Sequence, residues 1–347
     1  MSMHREVRVL VGGFTDGARA DIPLGLAVHR VGADGEAVAE GRLVIDNPTW
    51  ISPGSAPDLF YVSQSARRSL SLVGVDADGR ISLVDQIDID ALNPAHVAVD
   101  PQGSHVIASC FSEGVIVKVR LRDDGGFAGV EWTRDMNRAL ASATRRNSLQ
   151  SDAEPHQAVP IGAGEYFVPD RAQDVVWHLG PDGAAAPAAE VRPGAGPRHL
   201  ALHPAAPVAY LVGELDSTLI TFRREGRALV PVDVRTTLPA DWFGDSAAAA
   251  IVVDAVRERV YVTNRGHDSV AVFDIRAPER PTSIGWIPLR GRTPRFAGLL
   301  ADAGLLAVAA QGDDHVDLFR AEAAARLQGS DVRLVHAAPA CVVQVQL

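Results

Sequence analysis

Hydrophobic and polar residues alternate with period two through most of the chain, the pattern of half-buried β-strands. The alternation itself repeats. A strand-like run recurs seven times, as VRVLVG (7–12), LFYVSQ (59–64), SHVIAS (104–109), EYFVPD (165–170), VAYLVG (208–213), RVYVTN (259–264) and LLAVAA (305–310). A second run follows each closely: LAVHRV, LSLVGV, VIVKVR, VVWHLG, LITFRR, VAVFDI and VDLFRA. A third run precedes five of the copies (HVAVDP, HQAVPI, HLALHP, AIVVDA and FAGLLADA), and a fourth often follows, as in LVPVDVRTTLP (229–239). Units of four strands spaced by roughly 45 to 60 residues are propeller blades. The expected fold is therefore all-β: one seven-bladed β-propeller domain over residues 1–347, with four-stranded antiparallel blades. The last run, CVVQVQL (341–347), has no unit of its own. It is expected to be the innermost strand of the blade begun by residues 7–12, so that the N- and C-terminal strands close one blade and leave no open edge.

Two segments break the rhythm. Residues 132–155 read as a long polar connection, part of it a short helix, and residues 238–249 read as a second such loop. Loops of this length between regular units are often functional.

The stretch from Pro193 to Asp216 shows where chemistry collects. Leu200 and Leu202, then Val208 to Val212, predict a hairpin turning at His203 to Pro207. Antiparallel pairing brings Arg198 and His199, at the start of one strand, beside Glu214, at the end of the other. The same rule applied to every unit puts further polar residues on one mouth of the central channel. They are Glu154 and His156; Asn264, Arg265, His267 and Asp268; Arg295 and Gln311; and His96, Gln64 and Asn47. Paired arginine N–H donors hold carboxylates and phosphates, and a histidine or glutamate can move a proton. A ring of this kind suits acid/base work on an anionic small molecule.

Other arrangements carry less. His199 and His203 have helical metal-site spacing but fall on a strand and turn, so no metal is assigned. His203 and His336 read as turn or surface residues. Ser217 and Ser269 read as turn caps, and the glycine pairs 12–13 and 125–126 as turns. No GxSxG sits in a strand–helix context.

Composition changes little in this picture. Hydrophobic residues are 47 % of the 347 and charged residues 22 %, with a net charge of −10, so nothing suggests nucleic acid as a partner. No apolar run approaches the roughly 20 residues that span a bilayer. The first residues are too polar for a signal peptide. Cys110 and Cys341 lie in apolar strands and are expected reduced and buried, as in a cytoplasmic protein. No cofactor is implied, and the expected state is a monomer or weak homodimer.

The stretches GAGPRHLALHP…AYLVGELDSTL and YVTNRGHDSVAVF (261–273) resemble the signature of the seven-bladed lactonase family, the group that holds the propeller-type bacterial 6-phosphogluconolactonases. NPTWIS, NPAHVAVDPQG, EPHQAV, TPRFAGLL and AAQGDDHVDLF are similar to its other blades, so the resemblance covers nearly the whole chain. Fungal carboxy-muconate lactonising enzymes share it. The resemblance implies a catalytic set of His156, Arg198, Glu214 and Arg265; the placement of strand ends at the mouth adds Glu154, His96, His199, Asn264, His267, Arg295 and Gln311 around it for binding. The chain departs from the family at Gln157-Ala158, Ala250, Val252, Gln64-Ser65 and Cys110-Phe111, where more polar residues are usual. The implied activity is metal-independent opening of a sugar-acid or related lactone, with either His156 or Glu214 activating water. The alternatives are a muconate-type lactonising cyclase and a scaffold without catalysis. A calcium-dependent six-bladed lactonase is disfavoured by the blade count.

Overall fold

The computed structural model describes residues 6–32, 35–140, 152–329 and 332–346. It contains seven four-stranded antiparallel sheets, each one blade. Six blades run outward in chain order. The first is closed by Pro339–Val345, which pairs with Val7–Gly13, so both ends of the chain share one sheet as expected. The hairpin at the centre of the sequence also forms, from Pro197–Leu202 and Val208–Gly213.

Side chains on both faces of each blade are buried against the next blade, which is why the second strands are apolar almost throughout. Tyr61, Tyr210 and Tyr261 occupy the same position in three of these strands and are at most 1 % exposed. Tyr61 Oη donates to the Gly125 carbonyl (2.6 Å) and Tyr210 Oη to that of Pro278 (2.8 Å), so these two packed rings keep their polar tips bonded.

Four expectations need correction. Gly12 and Gly13 are strand residues, not a turn: a β-carbon on Gly12 would lie 2.3 Å from the Pro48 carbonyl oxygen of the next blade. His336 is fully buried, because closure of the ring brings it against His29 (3.5 Å) and the Gly25 carbonyl (3.2 Å). The long connection starts later than expected, since Trp132 to Asp135 still pair in the outer strand Phe127–Asp135. A short helix, Met136–Leu140, then follows, while residues 141–151 lie outside the described ones. Residues 247–249 belong to the strand Ala247–Asp254, leaving a shorter second loop. Both cysteines are free and buried.

Candidate active site

One structural device builds the mouth of the channel. Every innermost strand carries one extra residue relative to its neighbour, a β-bulge. It falls just inside the strand's start. In six blades the residue before it is proline: Pro339, Pro48, Pro94, Pro155, Pro197 and Pro294. A bulge re-aims the side chain at that position. The seven positions after the proline or its equivalent are Ala340, Thr49, Ala95, His156, Arg198, Ala249 and Arg295. A second ring comes from the first residue past each second strand: Phe14, Ser65, Phe111, Arg171, Glu214, Arg265 at the strand's last position, and Gln311. All but Ala249 and Gln311 line one cavity of about 340 Å³, together with Trp50, Ala66, Asn93 and His199.

The two rings are lopsided. Blades four to seven supply the charge. Glu214 is at the centre, with Arg198 Nε 3.0 Å from Oε2, and Arg265 Nη2 and Arg171 Nη1 3.2 Å and 3.6 Å from Oε1. The Arg198 contact is an ion pair whose N–H is not aligned for a hydrogen bond. The arginines are braced from behind: Arg198 Nη1 donates to the Ala249 carbonyl (2.6 Å) and Arg265 Nε to that of Ala247 (3.2 Å). Glu154 holds Arg171 at 2.7 Å. Four arginines thus face a single lining carboxylate, an arrangement that favours an anion in the cavity.

The electrostatics follow from burial and from this crowd of cations. Burial alone would raise the Glu214 carboxyl, but Arg198, Arg265 and Arg171 hold it below its ordinary value, so it is ionised at neutral pH. Burial, and then Arg198, push the His156 and His199 imidazoles well below theirs, so both rings are neutral. His156 Nδ1 has no hydrogen-bond partner among the described residues. The two imidazole rings lie 5.0 Å apart edge to face. Burial and the neighbouring Arg265 push Arg295 down to about 10 against the pull of Glu214.

Blades one to three supply the rest. Phe14 lies under the Arg295 guanidinium (5.1 Å) and Phe111 under that of Arg171 (5.2 Å). Trp50 forms the floor, touching the rings of His199, His96 and Phe296. Below it a second cavity of about 980 Å³ occupies the rest of the channel.

His156, Arg198, Glu214 and Arg265 therefore share one cavity, joined by His199 and Arg295. The remaining predicted mouth residues do not line it. His96 faces the lower cavity. Glu154 acts only behind Arg171. Asn264 is fully buried and exchanges hydrogen bonds with Thr237 (2.7 and 2.8 Å). His267 packs on Trp242 and Ser269. Gln311 sits in a 3₁₀ turn whose backbone bonds to Thr293. Asp268 accepts from the Thr293 N–H, Asn47 from that of Thr15, and Gln64 from Ser71, all of them structural ties between loops and strands. Arg171 was missed by the sequence reading. Its signal was present, since it follows EYFVPD as Glu214 follows VAYLVG.

The seven-bladed β-propeller lactonase family matches residues 8–344. The chain belongs to this family. Curated relatives in the lactonase family include the 6-phosphogluconolactonases of Bacillus subtilis, 26 % identical over 76 % of both chains, and of Erwinia tasmaniensis, 23 % identical over 81 % and 83 %. The periplasmic gluconolactonase PpgL of Pseudomonas aeruginosa has the same fold as this lactonase-family chain, with a TM-score of 0.84 at 21 % identity over 98 % and 99 % of the two chains. Lactone hydrolysis is the activity this membership supports. No helix among the described residues is long and apolar enough to cross a membrane.

Proposed function

We propose that the cavity opens an anionic lactone by direct attack of water, without a metal. The observation that carries this reading is the pairing of a neutral, unengaged His156 with arginines locked around Glu214. Arg198 and Arg265 bind the carbonyl oxygen and stabilise the negative charge that develops on it. Water adds to the carbonyl carbon as His156 takes its proton. The tetrahedral adduct collapses, the ring C–O bond breaks, and His156 returns the proton to the leaving alkoxide, giving the hydroxy acid. Glu214 is paired with three arginines, so its part is to hold them in place. Arg295 and Arg171 take the substrate's anionic group. Run backwards, these steps condense a hydroxy acid and release water; an unsaturated diacid would close its ring by a different reaction, a carboxylate oxygen adding to one alkene carbon while a proton goes to the other, and is the second substrate type to try.

The test is hydrolysis of freshly prepared 6-phosphogluconolactone and simpler carboxylated lactones above their spontaneous rates. Arg198→Ala is expected to lower kcat/KM by about 10²–10³, the cost of losing an oxyanion donor. Activity on none of these lactones, or an Arg198→Ala variant as fast as the native protein, overturns the proposal.

The histidine assignment has its own readout. kcat/KM reports the free enzyme, in which His156 loses its proton well below an ordinary histidine. The acid limb of the kcat/KM profile is therefore expected on the acid side of an ordinary histidine's titration. A limb centred near pH 7 is incompatible with His156 as the base.

A further inference from the structure

We infer that the part of the substrate remote from the reacting carbonyl is flat and apolar, an aryl or alkenyl group rather than a polyhydroxylated chain. The inference rests on the lactone-opening reading and narrows its substrate class.

The half of the cavity formed by blades one to three carries it. Three aromatic side chains, Phe14, Trp50 and Phe111, line that half. Between them stand Ala95 and Ala340, and the few polar side chains present, Thr49, Ser65 and Asn93, each already hold one hydrogen bond. Thr49 and Ser65 share a hydrogen bond of 2.5 Å between their hydroxyls. Asn93 Nδ2 donates to Ser112 Oγ at 2.8 Å. A sugar chain laid against this wall would bury more hydroxyls than Thr49, Ser65 and Asn93 can bond to. Each unmet hydroxyl weakens binding by about tenfold or more. An aromatic or alkenyl group loses nothing there, and gains ring-to-ring contact and apolar burial. Arg295 and Arg171 stand against Phe14 and Phe111, so the ligand that fits is two-sided: an anion on the guanidinium groups and an apolar plane against the ring surface that lines the cavity. The cavity volume of about 340 Å³ suits a molecule of that size, one small ring bearing a second.

The experiment compares kcat/KM of the full-length protein on three probes. Phenylparaconate is a γ-lactone with one carboxylate and one phenyl group, paraconate is the same lactone without the phenyl, and 6-phosphogluconolactone is the polyol. Phenylparaconate is expected to exceed each of the other two by about tenfold or more. Replacing Phe14 and Phe111 together by Ala is expected to bring the phenylparaconate-to-paraconate ratio close to one, whatever the variant does to the absolute rates. Preference for 6-phosphogluconolactone, a native ratio below tenfold, or a ratio that survives the double substitution overturns the inference and leaves lactone opening standing. Turnover of no lactone at all removes both.

Discussion

Glu214→Ala is expected to abolish most of the lactonase activity and to destabilise the fold at the same time. Glu214 is 9 % exposed and neutralises a cluster in which Arg198 is 2 % exposed. Removing the carboxylate leaves Arg198, Arg265 and Arg171 facing one another across the cavity. Stripping one partner from a buried ion pair costs about 3–5 kcal/mol. The arginines would separate, and the geometry proposed to meet the carbonyl oxygen would be lost with them, at a cost of about 10²–10³ in kcat/KM. Denaturant unfolding and steady-state kinetics on the same preparation read both effects. Glu214→Gln keeps the shape and the acceptor oxygen but not the charge. It is expected to fold better than the alanine variant and to remain slow. An alanine variant with native stability and native turnover would show that the cluster neither supports the fold nor organises the site.

The second large effect is acid lability, and its sign follows from five buried histidines. Burial pushes His29 down to about 4, and His96 and His336 down to about 3. His156 and His199 are also held well below their ordinary value. In the unfolded chain each titrates near pH 6.5. As pH falls from 6.5 towards the folded values, the unfolded chain takes up more protons than the folded one, so stability falls. The His29 shift alone corresponds to about 3 kcal/mol. Asp170 works against this. Burial pushes its carboxyl up to about 7, so its contribution is present at low pH and fades as pH rises from 3.8 through 7. His315 also works against it, since its bonds to Asp317 and the Asp313 carbonyl raise it despite burial. With five histidines against these two groups, the urea midpoint is expected to be clearly lower at about pH 4.5 than at about pH 7.5. Equal midpoints would mean that the histidines are solvated. His336→Gln keeps a donor to the Gly25 carbonyl and removes one of the titrating rings, so it is expected to shrink the difference.

Much of this protein is readable without coordinates because its information is periodic. A blade buries both faces against its neighbours, so each strand must be apolar in a repeating way, and seven repeats announce seven blades. The orphan run at the C-terminus had only one place to go, since an unpaired first blade would leave an exposed edge. Antiparallel pairing then puts strand starts beside strand ends, which is enough to gather His156, Arg198, Glu214 and Arg265 at one mouth.

What the chain alone could not separate is the lining of the cavity from the wall behind it. Arg198 lines the upper cavity and His96 faces the lower one, although both sit near the start of an innermost strand on the same rim. One extra residue in each innermost strand decides the difference. Side chains alternate between faces with period two, so a single inserted residue reverses where the next one points. Such an insertion is visible only in the register between two strands. The apolar half of the mouth and the burial of His336 have the same origin. Phe14 meets Arg295, and His29 meets His336, only because the ring closes residues from opposite ends of the chain into contact. Local pattern sets which strands form and in what order, whereas their mutual register and the closure of the ring set what each side chain touches.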